Sequence, residues 1–407
     1  MPSNPFYLKA LPDVADALFC NRVDEIATLV RMAESKNDVV IYAPRRYGKT
    51  SLVHRVQRKL AAEGAITIFT DFNGVASVND VATRLATAVY RITHGNDSLW
   101  KKAIRLFTSF RPVVRYSTDG TNMSMEITAE AAAGRTGMEL LEAIMKELHD
   151  FVKESELLVN IVFDEFQEIV VLPGARNIEA VMRTHIQQYQ ASHFFVGSRR
   201  RLLQNMFNDE HRPFFRSALN YDLKGLPEAE LAPFLVNLFA TSGKELPGED
   251  AKYLVRLVKC HPHYTIKLGY HVFESAEKSV SIDDVHKGLA NLLYEDQRLF
   301  ESMIQAIPPQ QRLLLRALAK EPTDKLMSRD YLKKHDMGST SAIAHSTKQL
   351  SNLDYIEEGE GKIWRVVDPV FSIWLAAGET IKLSVVAEEW SEGGHSVKET
   401  VYVGGSS

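Results

Sequence analysis

The segment Ala43-Pro44-Arg45-Arg46-Tyr47-Gly48-Lys49-Thr50-Ser51 concentrates the residue types that grip phosphate. It lies between the β-branched run Asp38 to Ala43 and a helical pattern from Lys49 to Glu63, ended by Gly64. Strand, loop and helix in that order are the setting of a phosphate-binding loop. There, backbone N–H groups and the helix N-terminus face the phosphates, a lysine reaches the β and γ oxygens, and a hydroxyl ligates Mg²⁺. Lys49 and Thr50 hold those two places, and Gly48 lets the backbone approach closely. Ala43 stands where the pattern has glycine, at the expense of φ freedom and one added methyl group.

A second signal is the apolar run Leu157 to Phe163, which ends in Asp164-Glu165. A strand buried on both faces reads this way, and its acidic end would emerge at the carboxyl edge of a sheet, where ligands bind. Asp164 would hold the Mg²⁺ shell, and Glu165 would orient the attacking water or accept its proton. A solvated turn also shows such a pair; coupled to the Lys49 loop, it points to hydrolysis of a nucleoside triphosphate.

These residues need a scaffold, and the surrounding periodicities predict one. Helices are expected over Val23 to Ala33, Asn79 to Ile92, Met138 to Val152 and Asn177 to Tyr189, with strands at Ala65 to Phe69, His193 to Val196 and Asn220 to Lys224. Alternation of this kind predicts a parallel sheet. Residues 96–137 break the rhythm and read as an insertion with a hairpin, Pro112 to Tyr116 and Met123 to Thr128. After Pro227 the patterns are helical only: Glu228 to Ala240, Glu249 to Val258, Tyr264 to Ser275 and Ile282 to Ile304. From Pro308, helices at Gln310 to Ala319, Ser328 to Lys334 and Ser339 to Leu350 precede a hairpin, Leu353 to Glu357 and Lys362 to Val366. The expected architecture is an α/β P-loop NTPase domain (1–226), a helical lid (227–306), a winged helix (307–378) and a tail (379–407), in which Lys398 to Val403 could form an isolated strand.

Several segments together resemble the archaeal-type ATPases of the AAA+/STAND superfamily. They are FCNRVDE from Phe19, the loop APRRYGKTS, the strand end VFDEFQE, VGSRRRLLQNMF from Val196, His261-Pro262-His263-Tyr264, and the Asp-Pro-x-Phe-x-x-Trp ending at Asp368 to Trp374. The similarity spans about residues 6 to 375. It implies an AAA+-like sheet, ATP with Mg²⁺ as cofactors, and an oligomeric or regulatory switch whose nucleotide sits between the α/β domain and the lid. It also implies that Ser198 contacts the γ-phosphate or the water, and that Arg216 reaches a neighbour's nucleotide, with Arg199, Arg200 and Arg201 as rivals. Arg22 would flank the base. Cys260-His261-Pro262 stands where relatives carry Gly-x-Pro, with Cys260 in place of glycine and Pro262 as the proline. Cys260 itself reads as a buried helix residue, and Lys267 as a solvent-facing lysine rather than a nucleotide sensor.

Composition bounds the rest. The chain of 407 residues has 48 Lys plus Arg against 52 Asp plus Glu, a net charge of −4, so any nucleic-acid contact must come from a local patch. The helix Ser339 to Leu350 offers only His345 and Lys348, and the wing tip Glu357-Glu358-Gly359-Glu360-Gly361-Lys362 would repel phosphate. This favours a protein partner or a homo-oligomer over DNA, with a DNA-transaction ATPase acting through the winged helix as the alternative. Two distant cysteines, Cys20 and Cys260, fit a reducing compartment, and no apolar run approaches the roughly 18 residues of a membrane span. A cytoplasmic location, neither exported nor inserted, is the expectation.

Overall fold

The computed structural model describes residues 3–6, 19–119, 122–132 and 134–378. The chain divides into two compact units, one built on Arg22–Lys224 and the other on Gly225 onward together with the N-terminal Phe6.

The first unit begins with α1 (Val23–Glu34), which buries Leu29, Val30 and Ala33. Strand β1 (Val39–Tyr42) is buried on both faces, as its continuous apolar run requires. Helix α2 (Lys49–Ala62) buries Leu52, Val53, Val56 and Leu60 along one stripe. Strand β2 (Ile66–Asp71) follows, then α3 (Val78–Thr93), capped by the Ser77 hydroxyl accepting from the Asp80 N–H. Helix α5 (Gly137–Ser155) leads to β5 (Val159–Asp164); α6 (Ala175–Ile186) leads to β6 (Ser192–Gly197), and β7 (Leu219–Asp222) is last. All five strands are parallel in the order β2-β5-β6-β1-β7.

Two helices in this unit were not expected. Helix α4 (Asp97–Leu106), capped by the Asn96 carboxamide, lies inside the supposed insertion. Leu99, Trp100, Ala103 and Leu106 lie at helical spacing against the core, a signal that the reading of residues 96–137 as an insertion left unused. Helix α7 (Arg200–Asn208) buries Leu203, Met206 and Phe207, a helical spacing masked by three consecutive arginines. The hairpin of β3 (Phe110–Asp119) and β4 (Asn122–Ala131) is longer than its apolar residues suggested, because most of the residues that extend it, Ser117 to Asp119 among them, are polar.

The second unit opens with four helices: α8 (Glu228–Thr241), α9 (Gly248–Leu257), α10 (Pro262–Ser275) and α11 (Ile282–Gln305). It continues with α12 (Pro309–Lys320), α13 (Arg329–Lys334) and α14 (Thr340–Asn352). The short antiparallel wing, β8 (Ile356–Glu358) and β9 (Trp364–Val366), is followed by α15 (Pro369–Ala377). The Asp-Pro-x-Phe-x-x-Trp element is therefore a capped helix: Asp368 accepts from the Val370 and Phe371 N–H groups, and Pro369 takes the first turn, where no donor is needed. One apolar core runs through the whole unit. Phe300 of α11 meets Phe371 and Trp374 of α15 at ring-centre distances of 5.3 and 5.8 Å. The expected strand Lys398 to Val403 lies outside the described residues.

Cys260 is not a helix residue: it sits half-buried in the turn between α9 and α10 with φ 54°, after Lys259 at φ 51°. That left-handed backbone is what a glycine at this place supplies without strain. Lys267 is not solvent-facing: it is 6% exposed and its ammonium lies 2.6 Å from Asp296 and 3.1 Å from Glu295 of α11. Its four-carbon stem is buried while two carboxylates of α11 offset the charge.

Candidate active site

The register of the sheet brings the sequence candidates of the first unit to one edge. Tyr42 pairs with Gly197 and with Asp222, so the loop after β1 stands beside the end of β6. Phe163 pairs with Phe195, and Asp164 with Asp71, which places the acidic end of β5 on the other side of β6. Strand β6 thus separates the phosphate-type loop from the acidic pair.

In the loop, Ala43 is fully buried and its carbonyl accepts from Lys49 Nζ at 3.0 Å; the Pro44 carbonyl accepts from the same ammonium at 2.9 Å. Lys49 is 5% exposed, held over the loop it serves. The left-handed residues of the loop are Arg46 (φ 64°) and Gly48 (φ 81°), not Ala43, which is why the expected glycine is dispensable at 43. Arg45 and Arg46 are exposed, Pro44, Tyr47 and Ser51 partly buried. The first intrahelical bond of α2 runs from Leu52 N–H to Gly48 O, so the amides of its first turn point out of the helix end.

The Thr50 hydroxyl donates to Asp164 Oδ2 at 2.7 Å, and the Glu165 N–H donates to Asp164 Oδ1 at 3.0 Å. Asp164 is 4% exposed, and this burial pushes its carboxyl up to about 6; the Thr50 hydrogen bond pulls down, while the nearby Glu165 and Asp71 push further up. The Ser198 hydroxyl, one residue beyond β6, donates to Glu165 Oε2 at 2.8 Å. Glu165 has φ 49°, left-handed backbone at the start of a 3-10 turn over Phe166–Val171.

These residues fit a magnesium-bound triphosphate. Thr50 and Asp164 supply adjacent hard oxygens of the kind Mg²⁺ takes. The place of a Cβ at Gly48 is open, with no heavy atom within 4 Å, so a ligand can meet the backbone there. A cation beside Asp164 would also offset the burial that raises its carboxyl.

The remaining candidates are placed differently. Arg22 is 4% exposed at the start of α1, with φ 73°; Nη1 lies 2.6 Å from Glu25, and Nη2 has no hydrogen-bond partner among the described residues. Arg200 is committed to Asp222 at 3.0 Å and stands 5.3 Å from the centre of the Tyr42 ring, while Arg199 and Arg201 are partly exposed. Arg216 is exposed with φ 51°, on a loop pinned by Phe214 in the core and by Arg212 bound to the buried Glu179. Pro262 belongs to the second unit, in the first turn of α10, where His261 caps the helix. Sequence reasoning passed over Asp71, Asp222 and Gln167. Only the first two sat at strand ends, where the same signal that found Asp164 was available.

A family model described as an ATPase domain predominantly from Archaea matches residues 19–268, more than half of the chain. The chain belongs to this family. A second model, a probable winged helix domain, matches residues 298–377 of the same ATPase. Among solved structures it is similar to the Walker-type ATPase of Pyrococcus abyssi, with 16% identity and a TM-score of 0.64, over 90% of this chain and 99% of that one. The ORC2 protein of Aeropyrum pernix in its ADPNP–ADP complexes is also similar, with 16% identity and a TM-score of 0.54 over 87% and 92%. Its ADP form gives 15% and 0.51 over 89% and 97%. At these identities the likeness is one of fold. No curated protein matches the chain. The protein is thus an ATPase of archaeal type with a P-loop sheet and a C-terminal winged helix. No described helix is long and apolar enough to cross a membrane.

Proposed function

We propose that this ATPase is a Mg²⁺-dependent molecular switch that binds and hydrolyses ATP, its nucleotide state setting assembly or the binding of a protein partner. The observation that carries the reading is the pair of contacts at the carboxyl edge of the sheet: Thr50 on Asp164 at 2.7 Å and Ser198 on Glu165 at 2.8 Å. Thr50 and Asp164 would hold the metal, which supplies charge neutralisation on the β and γ oxygens when bound. Lys49 would contact those oxygens, and the backbone from Pro44 to Ser51 would cradle them. Glu165 would take the proton of the attacking water, and Ser198 would orient that carboxylate. ATP rather than another triphosphate is supported by the family and by the ADPNP and ADP complexes of the Aeropyrum relative.

The winged helix supports a protein partner better than DNA. On the wing, Arg365 is spent on Glu357 through two contacts of 2.9 and 2.7 Å. The exposed face of α14 carries Ser341, His345, Lys348 and Gln349, which supply little counterion release. Phosphate release from ATP, with sizing in ATP, ADP and a non-hydrolysable analogue with and without duplex DNA, tests the reading. Full turnover in Lys49→Ala, or a size indifferent to nucleotide, would refute it; salt-sensitive duplex binding lost on removing residues 307–378 would establish the DNA alternative.

A further inference from the structure

Gln167, two residues past the acidic pair, was passed over by sequence reasoning. It is polar, yet fully buried. Because Glu165 is left-handed, the chain reverses at once, and the Gln167 side chain reaches back: its Nε2 donates to Glu165 Oε2, the same oxygen that accepts from Ser198. Its Oε1 is buried with no hydrogen-bond partner among the described residues. An unpaired buried amide oxygen costs about 1–3 kcal/mol, so an apolar side chain would serve the core better.

The place of that amide is also enforced from β6. A Cβ on Gly197 would lie 2.1 Å from Gln167 Oε1, an overlap no packing adjustment absorbs without moving the amide. Gly197 is the residue before Ser198 and pairs with Tyr42, the last residue of β1. The amide therefore lies against the backbone of the strand that separates the phosphate loop from the acidic pair.

We propose that Gln167 is a positioning residue for ATP hydrolysis: seated over Gly197, it clamps Glu165 Oε2 jointly with Ser198 and so presents Oε1 to the attacking water. No donor among the described residues contacts Oε1. Two donors converging on one oxygen fix the carboxylate plane, which one hydroxyl alone leaves free to rotate, and orientation of a catalytic group governs the rate of the chemical step more than substrate affinity.

The inference rests on Glu165 as the water-activating group, and Glu165→Gln is the separate control for that role. Gln167→Met keeps the volume and removes the donor. Its kcat for ATP should fall roughly 10- to 100-fold with KM within about twofold and a melting temperature no lower than that of the wild type. Gly197→Ala should produce the same kcat loss by displacing the amide, and Gln167→Ala combined with Gly197→Ala should be no slower than Gln167→Ala alone. If Gly197→Ala does not fold, the double variant should, since the clashing group is gone. A wild-type kcat in Gln167→Met beside an inactive Glu165→Gln would overturn the proposal while leaving the role of Glu165 intact. Multiplicative losses in the double variant would also overturn it, and an active Glu165→Gln would remove the reading beneath it.

Discussion

Tyr264 of α10 donates its hydroxyl to Asp368 Oδ2 at 2.5 Å, across 104 residues of sequence, while Asp368 Oδ1 caps α15. One carboxylate thus serves the helical segment and the winged-helix segment together. With Phe300 set against Phe371 and Trp374, it ties the two segments into one packed unit. Tyr264→Phe should destabilise this unit by about 1.5–3 kcal/mol, the range for a hydrogen bond to a charged group. Denaturant unfolding reads it; a separate early transition for residues 307–378 in the variant, absent from wild type, would show the same loss as uncoupling.

Burial makes Asp164 a stability liability. Its folded-state carboxyl titrates at about 6 against the ordinary 3.8, so the folded chain holds the proton more tightly than the unfolded one. Stability then falls as pH rises from about 4 to about 6 and stays lower above, by roughly 3 kcal/mol at neutrality. Asp164→Asn should be more stable than wild type at pH 7.5, nearly equal to it at pH 4, and inactive in ATP hydrolysis. Melting curves at the two pH values check this; a variant no more stable at pH 7.5 would contradict the assignment of the shift to burial.

The loop bearing Arg216 offers a contrast between anchoring and reach. Arg212 pairs with Glu179, which is 0% exposed, and removing it strands a buried carboxylate whose own burial already raises its titration. Arg212→Ala should cost about 3–5 kcal/mol of folding stability. Exposed Arg216 should cost less than about 0.5 kcal/mol when changed to alanine. If Arg216 acts on a neighbour's nucleotide, Arg216→Ala should lower ATPase activity at unchanged melting temperature, and mixing with inactive Lys49→Ala should restore part of it. No recovery on mixing would tell against that role.

Cys260 occupies left-handed backbone, and the strain differs by side chain. Cys260→Gly should be tolerated within about 1 kcal/mol, because relief of strain offsets the extra freedom of glycine in the unfolded chain. Cys260→Val should cost about 1–3 kcal/mol, since a β-branched residue is poorly accommodated at φ 54°. Equal stability of the two variants would show that the turn yields to the side chain.

Local chemistry was enough for the loop from Ala43 to Ser51, for the strand ending in Asp164 and for the class of fold, because each depends on neighbours in sequence: a buried strand has its own composition, and a phosphate loop needs its glycine and lysine in fixed order. Ser198 came from the family resemblance and not from local chemistry, since a hydroxyl at a strand end is by itself equally a simple cap. What no spacing could show is that β6 comes between β1 and β5, since the order of parallel strands is set by how the crossover helices pack and not by the strands themselves. That order aligns Gly197 beside Tyr42 and turns Gln167 from an apparent core error into a partner of Glu165. Lys267 and Cys260 were misread on similar grounds. A lysine's carboxylates on another helix and a residue's backbone angle are properties of the packed chain, where distant segments decide what each side chain can afford to be.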